Sequence, residues 1–507
     1  MTATTLDPAK REFLGHPVGI YVLFFTEMWE RFSYYGMRAI LMLYMTNFLV
    51  RGDKWAGGIY GDYTGLVYLT PLIGGFLSDR YLGLQRAILI GCLTMAAGQF
   101  CLAMHGSGGD GPAAAQSLGL FWIGLILLIV GNGFFKPNIS TLVGQLYEPG
   151  DPRRDGGFTI FYMGVNMGAF LSPLVCGYFA QTPGWGWHYG FLAAGIGMLI
   201  GWVTFFFGRR FLGHRGVVAA AKDASAHEGA PPASTAERQR IGIVIVLAIA
   251  AAGLFGYRGY AATGSGIEAV RSTLWPVIFF ICIGMYVFLH GRCSKAEMRK
   301  VNVIFVLALF VVSFWSAFEQ AGSSMTLFAD RDTNNSIFGY EFPSSWYQSV
   351  NPIFIVSLAP VFASLWTWLA RRNREPSTPA KMVWGIGLDA LSFFWILPAA
   401  MLAAGGKVSP MWLTVLYFLQ TCGELCLSPV GLSMVTKLAP ARYGAMLMGV
   451  WYLANAWANK LAGVGGSYVE QIGAKTMFGG IGITLAVVAG VLLLLVPWLR
   501  RQMGGIH

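Results

Sequence analysis

The sequence predicts an all-α polytopic membrane protein, and three observations support this fold class. Of the 507 residues, 55% are hydrophobic and only 12% are charged, whereas about 25% of the residues in a typical soluble protein are charged. Roughly fourteen apolar stretches are long enough to cross a bilayer, which takes about 20 residues. Lys and Arg residues cluster in alternate connections between those stretches, as is typical of a multi-pass protein.

The predicted membrane spans follow one another closely along the chain. They cover residues 19–50, 57–77, 86–105, 117–146, 158–181, 188–212, 241–257, 272–290, 301–329, 346–369, 380–403, 411–438, 445–472 and 477–498. We expect no signal peptide, because the polar N-terminal segment runs directly into the first apolar stretch.

The distribution of cations predicts the orientation of the chain. An even number of spans places both termini on one side, and 24 of the 35 Lys and Arg residues then fall on that side. Seven fall on the other side: Arg51, Lys54, Arg258, Arg271, Arg331, Lys407 and Lys475. Because cytoplasmic loops carry the excess of Lys and Arg, we expect cytoplasmic termini and a location in the cell inner (plasma) membrane.

A polar segment divides the chain into two halves. Residues 214–239 are rich in Ala, Pro, Ser and charged residues, a composition typical of a linker. We therefore expect an N-terminal six-helix bundle over residues 14–212, a cytoplasmic linker over 213–240, two inserted membrane helices over 241–292, and a C-terminal six-helix bundle over 296–500. This order of six, two and six helices resembles the major facilitator fold with two additional helices.

Composition and motifs argue against several functional classes. The seven cysteines have neither metal-ligand spacing nor the framework of a secreted domain, so we expect them to be unpaired and expect no metal site and no cofactor. Cytoplasmic loops explain the formal net charge of +11, and we expect no nucleic-acid partner. The sequence contains no GxSxG, HExxH or Walker loop, which argues against an enzyme.

Charged residues within the spans point to a functional site. A charged side chain at the bilayer centre costs roughly 2.5 to 3.5 kcal/mol, so these groups must pair or face water. Several polar residues of the first span share one helical face. They are Glu27, Glu30, Arg31, Tyr34, Tyr35 and Arg38. Such a stripe cannot face lipid, and we expect it to line a cavity between helices. The alternative is a buried ion-pair network that only stabilises the bundle.

The same stripe resembles the signature of a known family. The pattern ExxERFxYYG at residues 27–36 is similar to that of the proton-dependent oligopeptide transporters of the major facilitator superfamily. Further motifs of this family follow in order over almost the whole chain. They are GGFLSDRYLGLQR, GNGFFKPN with Lys136, FYMGVNMGAF, FWSAFEQAGSS with Glu319, QSVNP and GELCLSPVGLSM with Glu424.

The resemblance implies a symporter that imports di- and tripeptides together with protons by alternating access. A short peptide is a zwitterion, so opposed charges are expected to hold its two ends. In the N-terminal half, Arg31 and Lys136 are expected to attract the carboxylate, with Tyr34, Tyr35 and Tyr68 as hydroxyl partners.

The resemblance places the other end of the peptide in a second set of residues. Glu319, Asn166 and Asn351 are expected to receive the amino terminus, with Gln348 as a weaker addition. The aromatic residues expected to shape pockets for peptide side chains are Trp315, Tyr162 and Trp451. For each of these aromatics, ordinary helix packing is an equally good explanation.

Proton coupling and gating are also implied by the resemblance. Proton transfer is assigned to Glu27 or Glu30 near Arg31, and to Glu319. The expected gating ion pairs join the two halves and are Arg38 with Glu319 and Lys136 with Glu424. For Glu424 the alternative is a constitutive structural salt bridge.

Histidine is not expected to carry the proton. Mammalian relatives carry a histidine where this chain has Gly61, which is followed by Asp62. Histidines at the ends of the spans, among them His105, are expected on the surface. Lys460 and Asp389 are expected to make polar contacts within a bundle, with a gating role as the alternative.

Two other functions remain open at this point. The same fold is compatible with transport of nitrate or another small anion, although Glu319 and the ExxER stripe favour a peptide. A membrane peptide sensor is an alternative of another class. The expected partners are di- and tripeptides, protons and the lipid bilayer, with a monomer as the functional unit. Because the two inserted helices carry almost no intramembrane charge, we expect them to be peripheral and to take no part in transport.

Overall fold

A computed structural model describes residues 8–107, 117–148, 150–217 and 235–504. The expected linker over residues 213–240 lies largely outside these described residues. Helices make up most of the structure, and its strands form two small antiparallel hairpins. They pair β1 (Glu12–Phe13) with β2 (His16–Pro17), and β3 (Ser336–Ile337) with β4 (Tyr340–Glu341).

The helices follow the predicted spans. The first eight are α1 (Val18–Leu43), α2 (Asp53–Leu77), α3 (Leu84–Gly106), α4 (Gly119–Gln145), α5 (Arg154–Gln181), α6 (Trp187–Gly208), α7 (Thr235–Thr263) and α8 (Gly266–Arg292). The others are α9 (Lys295–Phe318), α10 (Ser324–Arg331), α11 (Val350–Arg371), α12 (Thr378–Leu402), α13 (Met411–Leu438), α14 (Gly444–Gly466) and α15 (Val469–Gln502). A non-helical residue, Gly473 with φ of 77°, interrupts α15.

Length and apolarity identify most of these helices as membrane spans. Within the described residues, 11 helical stretches are long and apolar enough to cross a membrane, and one of them combines α9 with α10. Helices α1, α2 and α14 are not among the 11. Together with these three helices, the stretches account for the predicted spans, and the protein is a multi-pass, all-helical membrane protein.

The helices pack in two groups. In the first group (α1–α6), α1 packs against α5 and α6, and α3 packs against α4 and α6. In the second group (α9–α15), α12 packs against α13 and α15, and α9 packs against α14. Helices α7 and α8 pack on each other, and none of the apolar window of α7 is buried. The most extensive contact between the groups joins α2 to α14.

The inserted helices are longer than their apolar stretches predicted. Helix α7 continues to Thr263, before Gly264 with φ of 67°, and α8 begins at Gly266. Arg258 and Arg271, expected in the connection between these helices, therefore lie inside helices. The predicted ends of these two helices were wrong because an apolar window stops at the first cation. A helix continues for as long as its backbone hydrogen bonds are made.

The two helix groups meet closely at one membrane face. We call the face where α1 begins the terminal face, and the face where α2 begins the opposite face. Near the opposite face, a Cβ built on Gly57 would lie 2.6 Å from the Gly463 carbonyl oxygen, and a Cβ on Gly61 would lie 2.8 Å from the Lys460 carbonyl oxygen. Only glycine permits such an approach of two backbones, so α2 and α14 touch without intervening side chains.

Polar contacts add to this closure at the opposite face. Arg331 at the end of α10 forms a bidentate pair with Asp53 at the start of α2, at 2.7 and 2.8 Å. Gln181 at the end of α5 donates to Ser344 Oγ at 2.8 Å, and Ser349 Oγ donates to the Phe170 carbonyl oxygen at 2.7 Å. The first and second groups are therefore joined at several points on this face.

Candidate functional site

Ionised residues of α1 and α4 form one buried cluster. Arg31 bonds Glu30 through Nε and through Nη2, the latter at 2.6 Å, and its Nε lies 3.3 Å from Glu27 Oε1. Lys136 Nζ lies 3.2 Å from the same Glu27 oxygen, and Asn132 donates to Glu30 Oε1 at 3.1 Å. Two carboxylates and two cations balance in formal charge, and buried ions are stable only when they are paired in this way.

Burial within this cluster is uneven. Glu27 and Glu30 are both 0% exposed and Arg31 is 5% exposed. The Lys136 side chain is 37% exposed, because it extends from α4 toward a cavity. Lys136 is thus the cation of this cluster that a ligand can reach most readily.

Further along α1, Arg38 connects the two helix groups. Its Nη2 forms an ion pair with Glu319, and its Nε donates to Tyr60 Oη at 2.7 Å. Glu319 holds this position because α9 ends at Phe318 and the chain tightens into a 3₁₀ turn over Glu319–Gly322. The expected pair of Arg38 with Glu319 is formed, and both side chains are buried.

The expected pair of Lys136 with Glu424 is not formed. Lys136 is paired with Glu27 instead, and Glu424 accepts a hydrogen bond from Asn351 Nδ2 at 3.0 Å. Asn351 also donates to Thr421 Oγ1 at 3.0 Å. The resemblance suggested the Lys136 pair without regard to conformation, whereas Glu27 lies closer to Lys136 in this structure. Among the described residues, no cation lies within ion-pair distance of Glu424.

A cavity of about 470 Å³ lies beside the cluster. Its lining includes Arg31, Tyr34, Tyr35, Tyr68, Asn132, Lys136 and Tyr452. The cavity extends along α4 to Ser140 and Thr141, toward the terminal face and away from the closed opposite face. Its volume is within the range of small-ligand sites, about 300 to 1,000 Å³.

Aromatic rings cover the cations of α1. The Arg31 guanidinium lies 5.1 Å from the centre of the Tyr34 ring and 5.7 Å from that of Tyr35. The Arg38 guanidinium lies 5.8 Å from the Tyr35 ring. Tyr35 therefore stands between the two ion-paired arginines. The Tyr34 hydroxyl is buried and has no hydrogen-bond partner within the described structure.

The other predicted site residues are engaged within their own helix groups. Asn166 donates to the Tyr162 carbonyl oxygen at 2.9 Å, and Gln348 donates to Thr326 Oγ1 at 3.1 Å. Trp315 packs against Phe314 and Phe318. Trp451 is buried against Gly431, while Tyr162 is 50% exposed. These five residues are not among those that line the cavity beside Lys136.

Several functional contacts were missed by the sequence interpretation. Asn132 lies within the GNGFFKPN motif, so its position one turn before Lys136 could have suggested it. Tyr60 lies two turns before Tyr68 on α2 and could have been found by the same spacing. His105, expected on the surface, is only 5% exposed and its Nδ1 lies 2.5 Å from Tyr44 Oη. Nothing in the local sequence indicates that contact.

The site has the chemistry of ligand binding and conformational change. In the part of the chain that the structure describes, no group of three or more His, Cys, Asp or Glu residues is placed to hold a metal ion. Instead, ion pairs connect two groups of membrane helices beside a cavity. Such an arrangement in a multi-pass membrane protein is typical of a transporter.

Comparison with known proteins is consistent with that class. The family model described as POT family matches residues 85–225 and 262–482. Peptide transporter YePEPT of Yersinia enterocolitica is 38% identical, and the match covers 99% of this chain and 98% of the relative. A di-/tripeptide transporter of Lactococcus lactis is 33% identical, with 97% of each chain covered.

Solved structures agree with the sequence comparison. A peptide transporter POT in complex with sulfate has a TM-score of 0.82 and 37% identity, and 98% of each chain is covered. A POT family transporter in complex with 5-aminolevulinic acid has a TM-score of 0.81 and 31% identity, with 96% of this chain and 98% of the other covered. The chain belongs to the POT family, and it is a transporter and not an enzyme.

Proposed function

We propose that this protein is a proton-coupled symporter that imports di- and tripeptides by alternating access. One observation carries the proposal: opposite charges that are not paired with each other come from the two helix groups. Lys136, of the first group, is partly exposed in the cavity. Glu424, of the second group, accepts a hydrogen bond from the Asn351 amide and has no cation within ion-pair distance among the described residues. A zwitterionic peptide has the complementary charges at its two ends.

The charge balance supports a peptide in preference to an anion. Because Glu27 and Glu30 neutralise Arg31 and Lys136, the cation side of the cavity carries no formal excess of positive charge. Transport of nitrate or another small anion stays an alternative, favoured by the relative that was solved with sulfate. In counterflow experiments, excess dialanine should suppress dialanine exchange and excess nitrate should not.

The two ends of the peptide are assigned mainly to different helix groups. The carboxylate is held by Lys136 and Arg31, with Tyr34, Tyr35 and Tyr68 as hydroxyl partners. The amino terminus is received by the second group through Glu319, Asn351 and Gln348, together with Asn166 of the first group. Trp315, Tyr162 and Trp451 bound the pockets for peptide side chains. We add Glu424 to the residues that receive the amino terminus, because its carboxylate lacks a cation among the described residues.

Proton coupling is assigned to the ion pairs that the peptide disturbs. A carboxylate that loses its cation partner in a low-dielectric site binds a proton more readily. Glu27 and Glu30 share Arg31, and Glu319 pairs with Arg38. When the peptide carboxylate draws Lys136 or Arg31 away, the glutamate left behind takes up a proton. The Arg38 pair with Glu319 acts as a gate, because it joins the two groups.

We further propose that the two groups move as domains around the cavity. The domain limits are residues 14–212 and 296–500, with a linker over 213–240 and the inserted pair over 241–292. If both termini are cytoplasmic, the closed opposite face is the outer one, and the structure is in an inward-facing state. The protein is placed in the inner membrane, with a monomer as the functional unit. Substrate binding that weakens an ion pair between the domains supplies the energy difference that such a switch requires.

The decisive experiment is uptake of dialanine by the purified protein in proteoliposomes. An inwardly directed proton gradient should drive accumulation above equilibrium, and collapse of the gradient with a protonophore should reduce uptake to equilibration. Binding of dialanine without accumulation under either condition would favour a membrane peptide sensor over a transporter. Accumulation that persists after collapse of the gradient would exclude proton coupling.

A further inference from the structure

Asp62 is the centre of an ion cluster that joins three parts of the chain. Its Oδ2 accepts from Arg271 Nε of α8 at 2.6 Å, and its Oδ1 accepts from Trp275 Nε1 of α8 at 2.7 Å. Lys460 of α14 forms an ion pair with Oδ1. Arg271 also pairs with Glu268 at 2.5 Å. Asp62 is 7% exposed, and the four charges of this cluster are balanced.

Helix α8 fits a recess in α2 that is made by missing side chains. A Cβ built on Gly65 would lie 2.5 Å from the Trp275 ring, and a Cβ on Gly58 would lie 3.1 Å from Arg271 Nη2. The Trp275 ring also packs 5.0 Å from that of Trp457 on α14. The inserted pair is therefore not simply peripheral, as expected from its sequence, because α8 contacts both helix groups where they meet.

The contacts of α8 differ in kind between the two groups. Toward α2 they include the ion pair and the indole hydrogen bond to Asp62, whereas toward α14 they are mainly apolar and involve Leu453, Ala456 and Trp457. A buried ion that loses its partner is strongly destabilised, whereas separation of apolar contacts carries no such electrostatic penalty. Helix α8 should consequently stay with α2 when α2 and α14 separate.

We propose that the Asp62 cluster is a further gate of the transport cycle and that Arg271 makes this gate reversible. The proposal rests on the alternating access proposed above. When the opposite face opens, Lys460 leaves Asp62 with α14. Arg271 remains on the other carboxylate oxygen, so Asp62 is never left buried without a cation. The inserted helices thus contribute a residue that lowers the cost of opening.

The test compares Arg271→Gln with a matched control, Arg258→Gln, which removes the same charge from an exposed position of α7. Opening of the opposite face is measured as the distance between two spin labels by double electron–electron resonance, in a background without native cysteines. The labels replace Lys54 and Lys475, which are exposed near this face on the two groups. In Arg271→Gln, opening would leave Asp62 without a cation, so we expect the short-distance (closed) population to grow. Dialanine exchange should fall about tenfold, equivalent to a 1.4 kcal/mol change. Lys460→Gln should shift the distances the other way, because it removes the contact that closes the gate.

A second variant guards against misfolding of the first. Trp275→Phe keeps an aromatic ring in the Gly65 recess but removes the indole donor to Asp62, and it should shift the distances in the same direction as Arg271→Gln by a smaller amount. The proposal is overturned if both variants show the wild-type distances. It is also overturned if Arg271→Gln shifts the distances toward the open state. The distances are measured in the absence of substrate, so a wild-type protein that fails to exchange dialanine disproves the proposed function without deciding on the gate.

Discussion

Glu30 makes more hydrogen bonds with Arg31 than Glu27 does. Two hydrogen bonds from the guanidinium and one from Asn132 reach it, whereas Glu27 shares its contacts between Arg31 and Lys136. Such a difference between neighbouring carboxylates allows them to take different parts in a proton cycle.

Glu30→Gln should separate proton coupling from peptide exchange. The amide keeps the shape of the side chain but cannot take up a proton, so gradient-driven accumulation of dialanine should fall at least about tenfold while counterflow changes less than about threefold. Glu341→Gln, at an exposed position in β4, is the control and should change neither rate. Equal losses in accumulation and counterflow would contradict a specific coupling role.

Glu319→Gln should abolish gradient-driven uptake. It leaves the buried Arg38 with Tyr60 alone, and breaking a buried ion pair by removal of one partner costs about 3 to 5 kcal/mol. Uptake of radiolabelled dialanine in proteoliposomes measures the effect, and circular dichroism checks that the helices are retained. Undiminished accumulation would show that neither the gate nor the proton depends on this carboxylate.

Lys136→Ala should weaken recognition of the peptide carboxylate in particular. Hydrogen bonds to charged groups contribute about 1.5 to 3 kcal/mol, so the affinity for dialanine should fall about tenfold or more. The affinity for dialanine amide, which lacks the carboxylate, should change much less, and Lys136→Arg should restore part of the loss. If both ligands weaken equally, the carboxylate is held elsewhere.

Residue-scale prediction from the sequence succeeded where helical spacing was sufficient. Positions 27, 30 and 31 share a face of one helix, so their clustering follows from periodicity alone. The expected pair of Lys136 with Glu424 is not formed in this structure, because the partner of Lys136 depends on which helix lies nearest in the conformation observed. Asp62 was not recognised as a cluster because its partners are separated from it by 209 and 398 residues.

At the scale of elements, the sequence predicted most helices but not their irregularities. The expected span 411–438 coincides with α13, since its ends are marked by Pro410 and by a loop after Leu438. The expected span 301–329 is instead broken between α9 and α10. Ser323, with φ of −126° and ψ of −95°, ends the regular backbone and donates to the Ala462 carbonyl oxygen at 3.0 Å. That break is fixed by a contact with α14, which local sequence does not reveal.

Gly61→Ala should favour opening at the opposite face. The added methyl would lie 2.8 Å from the Lys460 carbonyl oxygen and 3.0 Å from Gly463 Cα, and overpacking of this kind costs about 1 to 3 kcal/mol. The cost applies only while α2 and α14 touch, so the closed population should fall about 5- to 150-fold relative to the open one. A histidine at position 61 would meet the same backbone atoms.

Gly75→Ala is the matched control for this element. It lies on the same helix, but its added methyl would meet Pro137 at an ordinary contact distance of 3.5 Å. Spin labels at Lys54 and Lys475 should therefore report a longer distance for Gly61→Ala and an unchanged one for Gly75→Ala. Identical distance distributions in the two variants would show that the crossing of α2 and α14 does not determine closure.

At the scale of the molecule, composition and cation distribution were sufficient for the fold class and the number of spans. They could not show how the helix groups meet, because that contact is made largely by glycine backbones and by a few polar residues at helix ends. Nor could they place α8 against both groups, since the apolar window begins after Arg271 and leaves this residue in the predicted loop. The arrangement of groups is a tertiary property that the apolar windows do not encode.

The glycine crossing of α2 and α14 has a mechanical consequence. When two helices pack through interlocking side chains, many atomic contacts must break together for the helices to separate. The energy barrier to separation is then distributed over the whole interface. Where Gly57 and Gly61 meet Gly463, the backbones touch directly. Under the proposed alternating access, we therefore expect the few charged residues at this contact, such as Asp62 and Lys460, to set the rate of opening. Turnover speed can then be tuned by single substitutions among those charges, while the architecture that carries them is left as it is.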